Sequence, residues 1–157
     1  MSIDKVRAYF SSYGIDERIL EFPVSSATVE LAAQALSTDP CRIAKTLSFS
    51  VHQRTVLVVT AGDAKVHNGK FKAFFGVKAK MLSRDETEDK IGHAAGGVCP
   101  FAVNEGVEIY LDESLKRFET VYPACGSSNS AIELTIAELE TYSRPIAWVD
   151  VCKEWQE

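Results

Sequence analysis

No apolar run in this 157-residue chain approaches the roughly 20 residues that a membrane span requires. The start, Met1-Ser2-Ile3-Asp4-Lys5, is amphipathic and has no apolar core of a secretory signal. A cytoplasmic location without membrane partners is the expectation. The four cysteines, Cys41, Cys99, Cys125 and Cys152, are widely spaced and contain no Cys-x-x-Cys pair. That excludes the signatures of a zinc knuckle and of a thioredoxin-type site, and leaves free thiols, no metal and no cofactor as the expectation. The Walker phosphate loop is missing too. Six residues separate Gly62 from Gly69, and neither Ser nor Thr follows Lys70. No Ser-His-Asp constellation stands out. His52 falls in a hairpin turn and His67 in a lysine cluster, both expected to be solvated. Only His93 and Cys99 could form a Cys-His hydrolase pair. The competing reading is a cysteine that packs under a loop, since nothing nearby marks an activated thiolate.

What is present is an ordinary globular composition, 46% hydrophobic and 25% charged. One domain over residues 1–157 is expected. Net charge is −5, yet Lys65, Lys70, Lys72, Lys78 and Lys80 follow one another with no acid between them. Such asymmetry suggests a basic face for phosphates on an acidic body; a merely solvated lysine-rich surface is the alternative.

Hydrophobic spacing lays out alternating elements. Ser2 can cap a helix with Val6, Tyr9, Phe10 and Tyr13 on one face, ended by Gly14. A short strand is expected at 19–22. Thr28 can cap a helix carrying Val29, Ala32 and Leu36. Strands follow at 43–51 and 55–60, the second buried on both faces. A helix at 68–75, a strand at 77–82 and a helix opened by the Ser83–Glu86 capping box come next. Strands at 107–111 and 118–122 flank a short helix at 112–117. A strand at 130–134, a helix capped at Thr135 and a last strand at 145–149 complete the pattern. The interleaving predicts an α/β fold with a mixed sheet.

Two features point to a site. Between Gly92 and Gly106 runs a stretch without regular pattern. In it Gly96-Gly97 permits close backbone approach, and Pro100 restricts Cys99 to extended conformations. Long loops inside compact domains are usually functional or disordered. The Val, Cys, Pro and Phe in this one predict a stiff loop that aims peptide N–H groups at a ligand. The second feature is Lys45. Alternation along 43–51 puts it on the face of Ile43, Leu47, Phe49 and Val51, the one charge among apolar residues. A buried ammonium must reach a pocket, an acid or an anionic ligand, or snorkel to the sheet edge. The turn Gly126-Ser127-Ser128-Asn129-Ser130 either lines a pocket with hydroxyls or is simply a turn.

Five segments occur in order: Ile43-Ala44-Lys45-Thr46-Leu47; Ala61-Gly62-Asp63; Gly96-Gly97-Val98-Cys99-Pro100-Phe101; Leu111-Asp112-Glu113-Ser114-Leu115; and Gly126 followed by Ile132-Glu133-Leu134. This set, spanning essentially the whole chain, resembles the YbaK/EbsC family of aminoacyl-tRNA deacylases, relatives of the editing domain inserted in bacterial prolyl-tRNA synthetase. The resemblance implies a single domain with a mixed, partly barrel-like β-sheet flanked by helices. It implies hydrolysis of the ester joining a wrong amino acid to tRNA, often tRNA for proline. Lys45 matches the family's key functional lysine. Gly96 and Pro100 match the loop that lines the aminoacyl pocket, and Gly126 lies near it. Many members carry glycine after the loop aromatic, where this chain has Ala102; Val98 and Cys99 are its own.

The expected site is therefore Lys45 as the catalytic group, with Gly96, Gly97, Val98, Cys99, Pro100, Gly126 and Ser128 around the substrate. Lys65, Lys70, Lys72, Lys78 and Lys80 are the expected contacts to tRNA phosphates. An aminoacyl ester is already activated, so peptide N–H groups of Gly97 and Val98 that hold its carbonyl oxygen or a water would suffice. The expected partners are the acceptor end of an aminoacyl-tRNA and, as a second candidate, an aminoacyl-tRNA synthetase. A non-catalytic module that binds tRNA or a synthetase is the alternative from another class.

Overall fold

A computed structural model describes residues 2–155. Its elements are α1 (Ser2–Ser11), β1 (Leu20–Glu21), α2 (Val29–Leu36), β2 (Ile43–Val51), β3 (Arg54–Ala61), β4 (Lys65–Val66), α3 (Asn68–Phe75), α4 (Arg84–Ile91), β5 (Glu108–Asp112), β6 (Thr120–Pro123), β7 (Ser130–Ala131), β8 (Leu134–Thr135), α5 (Ile136–Ser143), β9 (Ala147–Val149) and β10 (Cys152–Lys153). Short 3₁₀ turns occupy Asp16–Arg18, Pro40–Arg42 and Glu113–Arg117.

Six strands form one curled, half-barrel-like sheet in the order β8-β6-β2-β3-β5-β9, mixing parallel and antiparallel pairs. Two small antiparallel pairs, β1 with β7 and β4 with β10, stand apart from it. The expected mixed α/β architecture is the one present. Helix starts follow local chemistry. Thr28 caps α2, and Ser83 and Thr135 make full capping boxes for α4 and α5. His67 is not merely solvated: its ring Nδ1 accepts from Lys70 N at 3.1 Å and caps α3.

The ladder between β2 and β3 runs from Ala44↔Ala61 to Val51↔Arg54. Strand partners share a face, so Lys45, Thr60, Leu47, Val58, Phe49 and Val56 lie on one side. There Phe49 meets Phe71 of α3 at 4.8 Å between ring centroids, within the main core. On the other face Leu57 packs with Leu82, Ile91 and Ile109, and Val98 of the glycine-rich loop joins them. Both faces of β3 are therefore covered, as its apolar run predicts.

Three expected strands change form. The 77–82 stretch is extended but makes a single bridge, Phe49↔Met81, where Ser50 N donates to Lys80 O and Leu82 N to Ser48 O. The 130–134 strand splits into β7 and β8, because Ala131 pairs with β1 and Leu134 with β6. The strand expected at 19–22 shrinks to Leu20–Glu21. Strands β4 and β10 are two residues each, too short to show periodicity.

Buried polar ties fix the edges. Asp112 is fully buried, and its carboxylate accepts from Ser114 N and Val151 N, both at 3.0 Å. Ser114 Oγ in turn accepts from Ala61 N. Replacing Asp112 by Ala strands two buried donors, so Asp112→Ala lowers stability by about 3 kcal/mol. The shift of the urea unfolding midpoint at constant m-value measures it.

Candidate functional site

Strand β2 has different neighbours along its second edge. Ile43 and Ala44 pair with Tyr122 and Pro123 of β6. Ser48 and Ser50 pair with the 80–82 segment. Between these, the edge is open, and a cleft of about 330 Å³ lies against it. Residues 43–48 of β2 line the cleft together with Ser26 and Ala27, Met81 and Arg84, and Gly96 and Val98 of the loop. A second hollow, of about 370 Å³, adjoins it and shares Lys45, Leu47 and Met81.

Lys45 lines both. It is half-buried and makes no hydrogen bond or ion pair among the described residues. Burial lowers its pKa from the ordinary 10.5, with Asp63 and Glu30 opposing at longer range. The lone charge expected on the apolar face of the strand is thus a partly desolvated, unpaired cation at the mouth of a cleft.

The loop is shaped by backbone proximity. Gly96 has φ +94, and a Cβ there would come within 3.7 Å of Ser128 Cβ. A Cβ on Gly97 would meet the Gly126 carbonyl carbon and the Ser127 backbone at 2.8 Å, so only glycine lets the loop and that turn touch. Ser128 O accepts from Ser26 N, which carries the packing on to the cleft wall. Of the residues expected around the substrate, Gly96 and Val98 line the cleft, whereas Gly97, Cys99, Pro100, Gly126 and Ser128 do not. Gly97 N donates to Ala94 O at 3.0 Å, so its N–H closes a turn and is not offered to a ligand. Val98 N donates to no acceptor among the described residues.

Cys99 and His93 do meet, with Sγ 3.6 Å from Nε2, and both are fully buried. That Nε2 lies 2.7 Å from Phe101 O and must carry a hydrogen to bond a carbonyl, so it cannot accept the thiol proton. Burial pushes Cys99 up to about 12 and lowers His93. The pair is neutral packing behind the loop, which removes the geometric basis for a cysteine hydrolase.

The five lysines divide. Lys65 pairs with Glu154 at 3.4 Å, and Lys70 pairs with Asp150 at 3.0 Å while also reaching Cys152 O. Lys72, Lys78 and Lys80 are exposed and have no ion pair among the described residues. Arg84, which the charge pattern did not single out, adds a cation to the cleft lining. Thr46 and Ser48 also line it; the sign available in the sequence was two small polar residues on a strand between apolar neighbours. No cluster of His, Cys, Asp and Glu among the described residues could hold a metal ion.

Residues 24–142 match the model of the aminoacyl-tRNA editing domain. The chain belongs to the aminoacyl-tRNA editing domain family. It is 50% identical to the uncharacterized protein YwhH of Bacillus subtilis (strain 168), over 99% of this chain and 100% of that protein. It is 30% identical to the proline–tRNA ligase of Geobacillus sp. (strain WCH70) over 102 residues, 64% of this chain but 18% of the ligase. A solved structure described as a candidate trans-editing enzyme for prolyl-tRNA synthetase superposes with a TM-score of 0.86 at 26% identity, covering 97% of each chain. No helix among the described residues is long and apolar enough to cross a membrane.

Family membership gives the departure at Ala102 a physical form. Ala102 has φ +53, a left-handed conformation that costs an L-residue with a side chain and suits glycine. Ala102→Gly therefore stabilises the fold, by about 0.5–1 kcal/mol, read as a higher midpoint in urea unfolding.

Proposed function

We propose that this protein is a trans-acting editing hydrolase that cleaves the ester of a mischarged aminoacyl-tRNA, with a small amino acid on tRNA for proline as the substrate. The observation that carries the reading is Lys45, an unpaired, partly desolvated cation at the mouth of the cleft bounded by the glycine loop. Membership in the editing family and the likeness to a segment of proline–tRNA ligase support it. The cleft volume, about 330 Å³, is at the lower end of ligand sites and suits an aminoacyl group with part of its nucleoside.

In this reading water adds to the ester carbonyl carbon, the bond from that carbon to the ribose oxygen breaks, and the ribose hydroxyl leaves with a proton. Lys45 holds the terminal adenosine or its phosphate and orients the attacking group. The Val98 N–H, facing no protein acceptor, holds the carbonyl oxygen or the water. Arg84, Lys72, Lys78 and Lys80 supply charge for the acceptor-end phosphates, while Lys65 and Lys70 share theirs with acids. The location follows from the substrate: charged tRNA is cytoplasmic. A synthetase that releases the mischarged tRNA is the natural second partner.

Purified protein with Ala-, Ser- and Cys-charged tRNA for proline tests the reading. At least one ester is lost faster than in buffer; if none is, the protein is a binding module instead. Lys45→Met lowers deacylation by about 100-fold or more, the scale of a lost transition-state contact. The same change raises the melting temperature at neutral pH. The lowered pKa means that the charged ammonium costs the folded state stability, and this cost fades as pH rises toward 10.5. The gain in melting temperature therefore shrinks in alkaline buffer. Cys99→Ala retains most turnover, because the thiol is neither ionised nor in the cleft.

A further inference from the structure

The open part of the β2 edge has a definite polarity. Ser50 N–H donates to Lys80 O, and Ser48 O accepts from Leu82 N–H, so the main-chain groups of these residues point away from β3. A strand's groups alternate sides, which turns both the N–H and the C=O of Thr46 toward the same edge. β6 reaches only to Ala44, and the 80–82 segment begins its pairing at Ser48. Neither the N–H nor the C=O of Thr46 bonds to any described residue on that side, and Thr46 lines the cleft. Independently, Thr46 Oγ1 is buried without a hydrogen-bond partner. Thr46 thus has two main-chain groups unpaired on the open edge and a buried hydroxyl without a partner, although buried polar groups are nearly always paired.

The geometry points to Thr46 as the residue that holds the aminoacyl group, by pairing with it as a single rung of sheet. In an antiparallel hydrogen-bonded pair, two residues exchange N–H···O bonds in both directions. An α-amino acid esterified to ribose still has what such a pair needs, an amino group on one side of its α-carbon and a carbonyl on the other. Its ammonium donates to Thr46 O. Thr46 N–H donates to the ester carbonyl oxygen, where negative charge develops during hydrolysis. The site selects for an α-amino group whatever the side chain. It takes one residue only, because from Ala44 to Ser48 the edge spans about 13 Å and is closed at both ends by protein. A continuous polypeptide strand would collide with β6 and with the 80–82 segment.

The proposal rests on the deacylase reading but is tested separately from it, by binding to the ¹⁵N-labelled full chain. The probes are the non-hydrolysable amides 3′-(L-alanylamino)-3′-deoxyadenosine and 3′-(propionylamino)-3′-deoxyadenosine, which differ only in the α-amino group. The alanyl probe slows hydrogen exchange at the Thr46 amide, and the propionyl probe binds roughly tenfold to a hundredfold more weakly, as the loss of charge-assisted bonds requires. Equal affinities overturn the proposal, as does a Thr46 amide left unprotected while Val98 responds, or failure of both probes to bind. Deacylation of charged tRNA is measured in its own assay and stands or falls independently of these outcomes.

Discussion

Strand β2 keeps an unbroken antiparallel partner on one side and an interrupted one on the other. That asymmetry is the constraint from which the cleft follows. The β2–β3 ladder fixes the strand's position, so where β6 and the 80–82 segment part there is no slack for β2 to move and close the gap. The glycine loop and the 26–28 segment roof the gap without filling it. Contact between Gly97 and the Gly126–Ser127 turn holds the roof at a set height, because any side chain there would push the two backbones apart.

Charge is distributed to match. Lys65, beside the second hollow, and Lys70 each have a carboxylate in reach, and exposed pairs of this sort contribute little to stability. Lys45 has none. Its placement works against stability, as strained or unpaired groups in active sites commonly do. Within the basic segment Lys72, Lys78 and Lys80 have no ion pair among the described residues, so its attraction for a polyanion rests on those three.

Much of this was legible in the residues. Capping boxes at Ser83 and Thr135, the apolar run of β3 and the alternation of β2 located their elements, and the lone charge on an apolar face singled out Lys45. The loop's glycines marked a close backbone approach, which Gly97 makes, but not which atoms the loop offers. Whether a peptide N–H is spent or free depends on partners distant in sequence, and Gly97 spends its own on Ala94. The lysine run told of charge but not of Glu154 and Asp150, which arrive from the far end of the chain. Strand 77–82 had the right composition, yet pairing is a property of two segments, and only Met81 finds a bridge. Thr46 was hidden for the same reason: nothing local shows that the edge beside it is empty.

The neutral thiol beneath the loop has a chemical consequence of its own. Peroxides attack the thiolate form of cysteine. With Cys99 held at about 12, only on the order of one molecule in 10⁵ carries that form at neutral pH. Cys125 and Cys152, also buried, are raised as well. Packing that includes such sulfurs resists attack by peroxides and so keeps its shape under oxidising conditions.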